Sequence, residues 1–83
     1  MVKNPEVYLF VEKNNNECLK AEELLRSLNI PFILIDVDKN GVRGWMLKDF
    51  GTMEVPLLAT QNAVVIGLKN IENFVKNNII KPL

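Results

Sequence analysis

The sequence predicts an α/β fold, a four-stranded mixed sheet flanked by helices in the order βαβαββα. Three observations carry this expectation. Two continuous apolar runs rich in β-formers, Val7 to Val11 (VYLFV) and Phe32 to Val37 (FILIDV), have the composition of strands covered on both faces. An amphipathic segment lies between them, and strand, helix, strand in so few residues reads as a right-handed βαβ unit with parallel strands. Farther along, Leu57 to Thr60 and Ala63 to Ile66 are short apolar segments separated by Gln61-Asn62, a two-residue turn into an antiparallel hairpin.

The elements follow in order. After the first strand, Asn14 to Asn16 can cap a helix, and Asn14 with Glu17 has capping-box spacing, with Asn replacing Ser or Thr. In that helix Cys18, Ala21, Leu24, Leu25 and Leu28 share one face, while Lys20, Glu22, Glu23 and Arg26 lie mostly on the other. Glu22 and Arg26 stand at i, i+4 in the favourable order. Asn29 can end the helix, and Pro31 cannot continue it. The second strand is expected to be buried like the first. Asp38 to Gly41 is a loop, and Val42 to Phe50 a short helix whose Trp45, Met46 and Phe50 can pack, closed by Gly51. Gly44 opposes that helix by about 1 kcal/mol relative to Ala. Val55-Pro56 opens the third strand. A last helix places Ile71, Phe74, Val75 and Ile79 on one face, with Asn70 as its cap.

Composition narrows the functions. The 83 residues, 48% hydrophobic and 24% charged, suit one globular domain, residues 1–83, with a modest core. Ten basic residues, scattered along the chain, balance ten acidic ones, so no broad field favours nucleic acid or an anionic membrane. The single cysteine cannot form an internal disulfide or a four-cysteine zinc site. With no histidine, neither a Ser-His-Asp nor a Cys-His mechanism can be assembled, and no metal site is expected. The opening MVKNPEVYLFV lacks the pattern of a secretory signal, and no apolar run approaches the roughly 20 residues of a membrane span. The expectation is a cytoplasmic protein. Asp36 and Asp38 read as solvated loop residues, Trp45 as a packing residue, and Met46 and Met53 as core or rim.

Taken in order, these residues resemble glutaredoxin, the small member of the thioredoxin-fold family, along essentially the whole chain. Family members read roughly as a strand, then Lys-Pro-x-Cys-Pro-Tyr-Cys, then a helix of the type Val-x-Ala-x-x-Leu-Leu. Cys18-Leu19-Lys20-Ala21-Glu22-Glu23-Leu24-Leu25 follows that helix, and "NIPFILIDVD" is similar to the family's second strand. Val55-Pro56 matches the family's Val-Pro, whose proline is cis and faces the active site. Gly67 stands where the family has a Gly-Gly-x-Asp-Asp turn.

The resemblance places Cys18 at the second cysteine of the family's pair and Asn15 at the first, so Asn-Asn-Glu-Cys stands in place of Cys-Pro-Tyr-Cys. In the family the first cysteine is the nucleophile. At a helix N-terminus, free N–H groups and the dipole lower a thiol's pKa from ~8.5. Asparagine has no thiol to ionise. Cys18, on the apolar helix face, is expected to be buried and a poor nucleophile.

For glutathione, the resemblance implies a lysine where Glu12 stands, with Lys13 as a neighbouring substitute. It implies backbone pairing at Val55 and Pro56, and a γ-glutamyl site at Gly67 and Asn70, where Ile66, Lys69 and Asn70 replace the family's first glycine and two acids. The resemblance allows glutathione as a cofactor and establishes no other. The candidate partners are glutathione, or a protein or peptide in the groove beside Pro56. The leading expectation is a glutaredoxin-like binding or accessory module without dithiol activity. The alternative is a divergent monothiol oxidoreductase that uses Cys18 with glutathione.

Overall fold

A computed structural model describes residues 6–79, with side chains through 77. Its elements are β1 (Tyr8–Val11), α1 (Asn16–Ser27), β2 (Ile33–Asp36), α2 (Val42–Phe50), β3 (Leu57–Ala59), β4 (Val64–Ile66) and α3 (Leu68–Phe74), followed by a π-helical turn, Val75–Ile79. The order is the expected βαβαββα. The strands form one mixed sheet, β2-β1-β3-β4. Parallel pairing sets Tyr8 beside Ile33 and Val11 beside Asp36. Antiparallel pairing sets Tyr8 opposite Ala59 and Leu57 opposite Ile66. The hairpin turn closes with the Thr60 N–H donating to the Ala63 carbonyl at 2.8 Å.

Alternation along each strand gives the sheet two apolar faces. On one, Val7, Leu9 and Leu58 meet Ala21 and Leu25 of α1, Ile71 of α3, and Val75. On the other, Phe10, Leu57 and Ala59 meet Met46 of α2 and Val37. Leu24 and Leu28 pack at the margin of the first cluster, as the helix periodicity requires. Glu22 accepts from Arg26 at 2.7 Å, and Asn29, at φ 57, ends α1 in the left-handed region. Helix α2 has the bounds expected for it, and Gly51 closes it at φ 76.

Three expectations are corrected. β2 is an edge strand rather than a buried one: Ile33 and Leu34 are 49% and 43% exposed. It has a neighbour on one side alone, so its apolar residues are only partly covered. Asn14 does not cap α1. It sits at φ 61, a turn conformation that asparagine tolerates, and the extended Asn15 is the cap. Asn70 does not cap α3 either. That helix begins directly after β4, and the reversal uses Gly67 at φ 92, a conformation glycine adopts without a Cβ penalty. Phe74 and Val75 pack with the first cluster as expected, while the placement of the Ile79 side chain lies outside the described residues. Met46 is fully buried, whereas Met53 is exposed. Among the described residues no helix is long and apolar enough to cross a membrane.

Candidate functional site

The site is built where β1 runs into α1. Asn15, extended at φ −113, has its Oδ1 accepting the Cys18 N–H at 3.1 Å, which satisfies one of the free donors at the helix start. Its Nδ2 donates to Glu12 Oε1 at 3.1 Å. The amide at position 15 is therefore engaged on both sides. It holds the helix N-terminus, the seat that would activate a thiol.

Cys18 lies one turn further in and is 2% exposed. Its Sγ accepts the Glu12 N–H at 3.5 Å. Burial raises the thiol pKa, because the anion would lose its hydration. The Glu12 N–H opposes this, while the negative charges of Glu12 and Glu17 add to it. A thiolate is disfavoured here on two counts, solvation and charge.

Glu12 also carries an interaction that the sequence did not announce. Its Oε2 pairs with Arg43 at 3.0 Å, and the same guanidinium pairs with Asp38 at 2.8 Å. The hydrogen bonds from Asn15, then Arg43, hold the Glu12 carboxyl below its usual range. Arg43, with help from the Lys13 backbone, does the same for Asp38. The two carboxylates in turn push the Arg43 pKa up. Asp36 Oδ1 accepts the Asp38 N–H at 2.8 Å, which orders the turn leading to α2. The Lys13 side chain is exposed.

The second half of the site lies at β3 and β4. The Val55–Pro56 peptide bond is cis, Pro56 is buried and Val55 half-buried. Val55 precedes the ladder that starts at Leu57, so its peptide groups stand outside the strand pairing. The Pro56 carbonyl accepts the Gly67 N–H at 2.9 Å, which ties the start of α3 to the proline. Asn70 Nδ2 donates to the Ile66 carbonyl at 2.9 Å, so this side chain folds back on the end of β4. Glu17 of α1 and Gly67, Leu68, Lys69, Asn70 and Glu72 line one cleft. The starts of α1 and α3 thus border a common depression of mixed charge.

The fold accordingly brings Glu12, Asn15 and Cys18 together at one helix start, and Pro56, Gly67 and Asn70 at another. Arg43 is the residue that sequence reading missed, and Asp38, read as a solvated loop residue, is one of its two partners. No periodic signal joins Glu12 to a partner 31 positions away.

Among solved structures, the thioredoxin-like protein BC3987 matches with a TM-score of 0.74 at 22% identity, over 84% of this chain and 96% of that one. Glutaredoxin 1 from Francisella tularensis, solved with cacodylate, matches with a TM-score of 0.73 at 15% identity, over 94% of this chain and all of the other (100%). A buckwheat glutaredoxin–glutathione complex matches with a TM-score of 0.74 at 14% identity, over 92% of this chain and 73% of that one. These likenesses show a thioredoxin-like fold. No curated protein matches the chain. The sequence profile described as Glutaredoxin matches residues 7–65, most of the described fold from β1 into β4. With that span matched and the mixed sheet in place, the chain belongs to the glutaredoxin family.

Proposed function

We propose that this glutaredoxin-family chain does not perform dithiol exchange and acts as a binding or accessory module. One observation carries the reading: the single cysteine is 2% exposed on the buried face of α1, while an amide holds the helix N-terminus. Exchange needs an accessible thiolate as attacking group and a leaving thiol. Asn15 can supply neither, and the environment of Cys18 favours the neutral thiol.

The ligand surface proposed is the groove beside the cis proline, with Val55 offering its backbone, Pro56 buried beside it with its carbonyl already bonded to Gly67, and Gly67 and Asn70 lining the α3 side. Lys13 is an exposed cation in the turn before α1. The occupant is glutathione or an extended peptide. A fold relative, the buckwheat glutaredoxin, has been solved as a glutathione complex, which supports glutathione as the first ligand to titrate.

The test is glutathione-coupled reduction of a small disulfide, with Cys18 alkylation measured in parallel across neutral and mildly alkaline pH. The expected result is turnover at the thiol background and slow labelling of the native chain that becomes fast on unfolding. Asn15→Cys, which returns a sulfur to the helix N-terminus, is expected to label rapidly and to gain exchange activity. Turnover matching an ordinary dithiol glutaredoxin in the unaltered chain would reject the proposal. So would rapid native alkylation of Cys18, which would favour the monothiol enzyme instead.

A further inference from the structure

We propose that Asn40-Gly41 is a site of spontaneous covalent modification, deamidating through a cyclic imide in the folded chain. Asn40 is the one asparagine in the sequence followed by glycine. Ring closure requires the backbone nitrogen of the next residue to reach the asparagine side-chain carbonyl carbon. A side chain on that residue obstructs the approach, and glycine has none.

The structure leaves this pair open. Both residues are exposed, in the turn between β2 and α2. Gly41 has φ 84, and no atom lies within 4 Å of the place a Cβ would occupy. The neighbouring peptide groups are engaged: Val42 N–H donates to the Lys39 carbonyl, and Trp45 N–H to the Gly41 carbonyl. Among the described residues, the Gly41 N–H and the Asn40 side-chain amide have no hydrogen-bond partner. The attacking nitrogen is therefore not held by the fold. Asn16, Asn70 and Asn73 are followed by helical residues with larger side chains, and their neighbouring nitrogens belong to helix backbone.

The step balances as follows. The Gly41 nitrogen loses its proton to solvent and bonds to Asn40 Cγ. Nδ2 takes up a proton from solvent, the Cγ–Nδ2 bond breaks, and ammonia leaves. Water then opens the five-membered imide at either carbonyl, giving an aspartyl or an isoaspartyl linkage, with no oxidant or reductant involved.

The product has local consequences. A carboxylate appears just before α2, whose first turn carries no acidic residue and whose N-cap, Gly41, has no side-chain acceptor. Negative charge there complements the helix dipole. The isoaspartyl form also lengthens the backbone by one methylene between β2 and α2. Asn40 and Gly41 border the shallow cleft lined by Phe10, Ile35, Val42 and Trp45, so its rim changes charge and shape together.

The experiment incubates the full chain, folded and in denaturant, at mildly alkaline pH, and follows each asparagine by peptide mass mapping with separation of the two product isomers. The expected result is conversion at residue 40 ahead of every other asparagine, at a rate in the folded chain within several-fold of the unfolded one. An acidic charge variant should accumulate in step with it and be absent from Asn40→Gln. Strong protection of residue 40 by folding, or faster conversion at another asparagine, would overturn the proposal.

Discussion

The two faces of the sheet are built differently. The face under α1 and α3 is aliphatic, with Leu9, Ala21, Leu25, Leu58, Ile71 and Val75 all fully buried. The face under α2 is covered by a single short helix and held largely by rings. Phe10 stacks on Trp45 at 5.8 Å between centroids, and Phe50 meets both edge-on at 5.4 and 5.3 Å. Trp45 nonetheless remains 49% exposed. Two helices bury the centre of one face, whereas one helix leaves the other with an open rim at Trp45. Stability should therefore reside mainly in the first.

The largest expected effect follows from that contrast. Leu25→Ala should cost about 2–5 kcal/mol, since it removes buried methyl groups and leaves a cavity. Trp45→Ala should lose about 0.5–1.5 kcal/mol of ring pairing beyond the partial burial it forfeits. Urea denaturation of both variants measures the difference directly. Equal losses, or a larger one at Trp45, would mean that the ring cluster and not the aliphatic face anchors the fold.

A smaller effect sharpens the boundary between the buried face and the surface, where α1 begins. Asn15→Ala deletes the cap and frees both the Cys18 N–H and Glu12 Oε1, so it should cost about 1 kcal/mol. Asn15→Ser, which keeps an acceptor, should recover most of it. The denaturation midpoints are the readout. An Asn15→Ala chain as stable as the parent would show that the amide is not what holds the helix start.

Much of this was legible in the sequence because it is local. Helix period placed Cys18 with Ala21 and Leu25 on the buried face, and Val42 and Gly51 bounded α2 correctly. What was not legible depends on neighbours distant in the chain or on equivalent choices nearby. FILIDV reads alike whether a strand is central or at an edge, and only the sheet order exposes Ile33 and Leu34. Three consecutive asparagines offer three equivalent caps, and the turn at Asn14 selects the second. Asn70 resembles a cap in isolation, but Gly67 already supplies the reversal. At the candidate site, the placement of Asn15 and Cys18 at one helix start was visible, whereas the Glu12–Arg43–Asp38 network was not.

That network yields the smallest expected effect, and the one whose sign is least obvious. Arg43 and both carboxylates are partly exposed, so water and salt screen the pairs, and their contribution to stability is minor. The direction is nevertheless fixed by linkage. Glu12 and Asp38 titrate lower in the folded chain than in the unfolded one, so folding favours their ionised forms. Their stabilisation is complete above the unfolded carboxylate range and is lost as pH falls toward the folded values. Arg43→Met removes the whole contribution to Asp38 made by the guanidinium, but only part of that to Glu12, where Asn15 is the larger cause. Denaturation midpoints of the variant should therefore lie below those of the parent at neutral pH, fall less steeply on acidification, and meet the parent curve once the carboxyls are protonated. Added salt should narrow the gap at neutral pH. Curves that coincide at neutral pH and diverge in acid would reverse the sign, and would mean that the guanidinium is held against its carboxylates rather than by them.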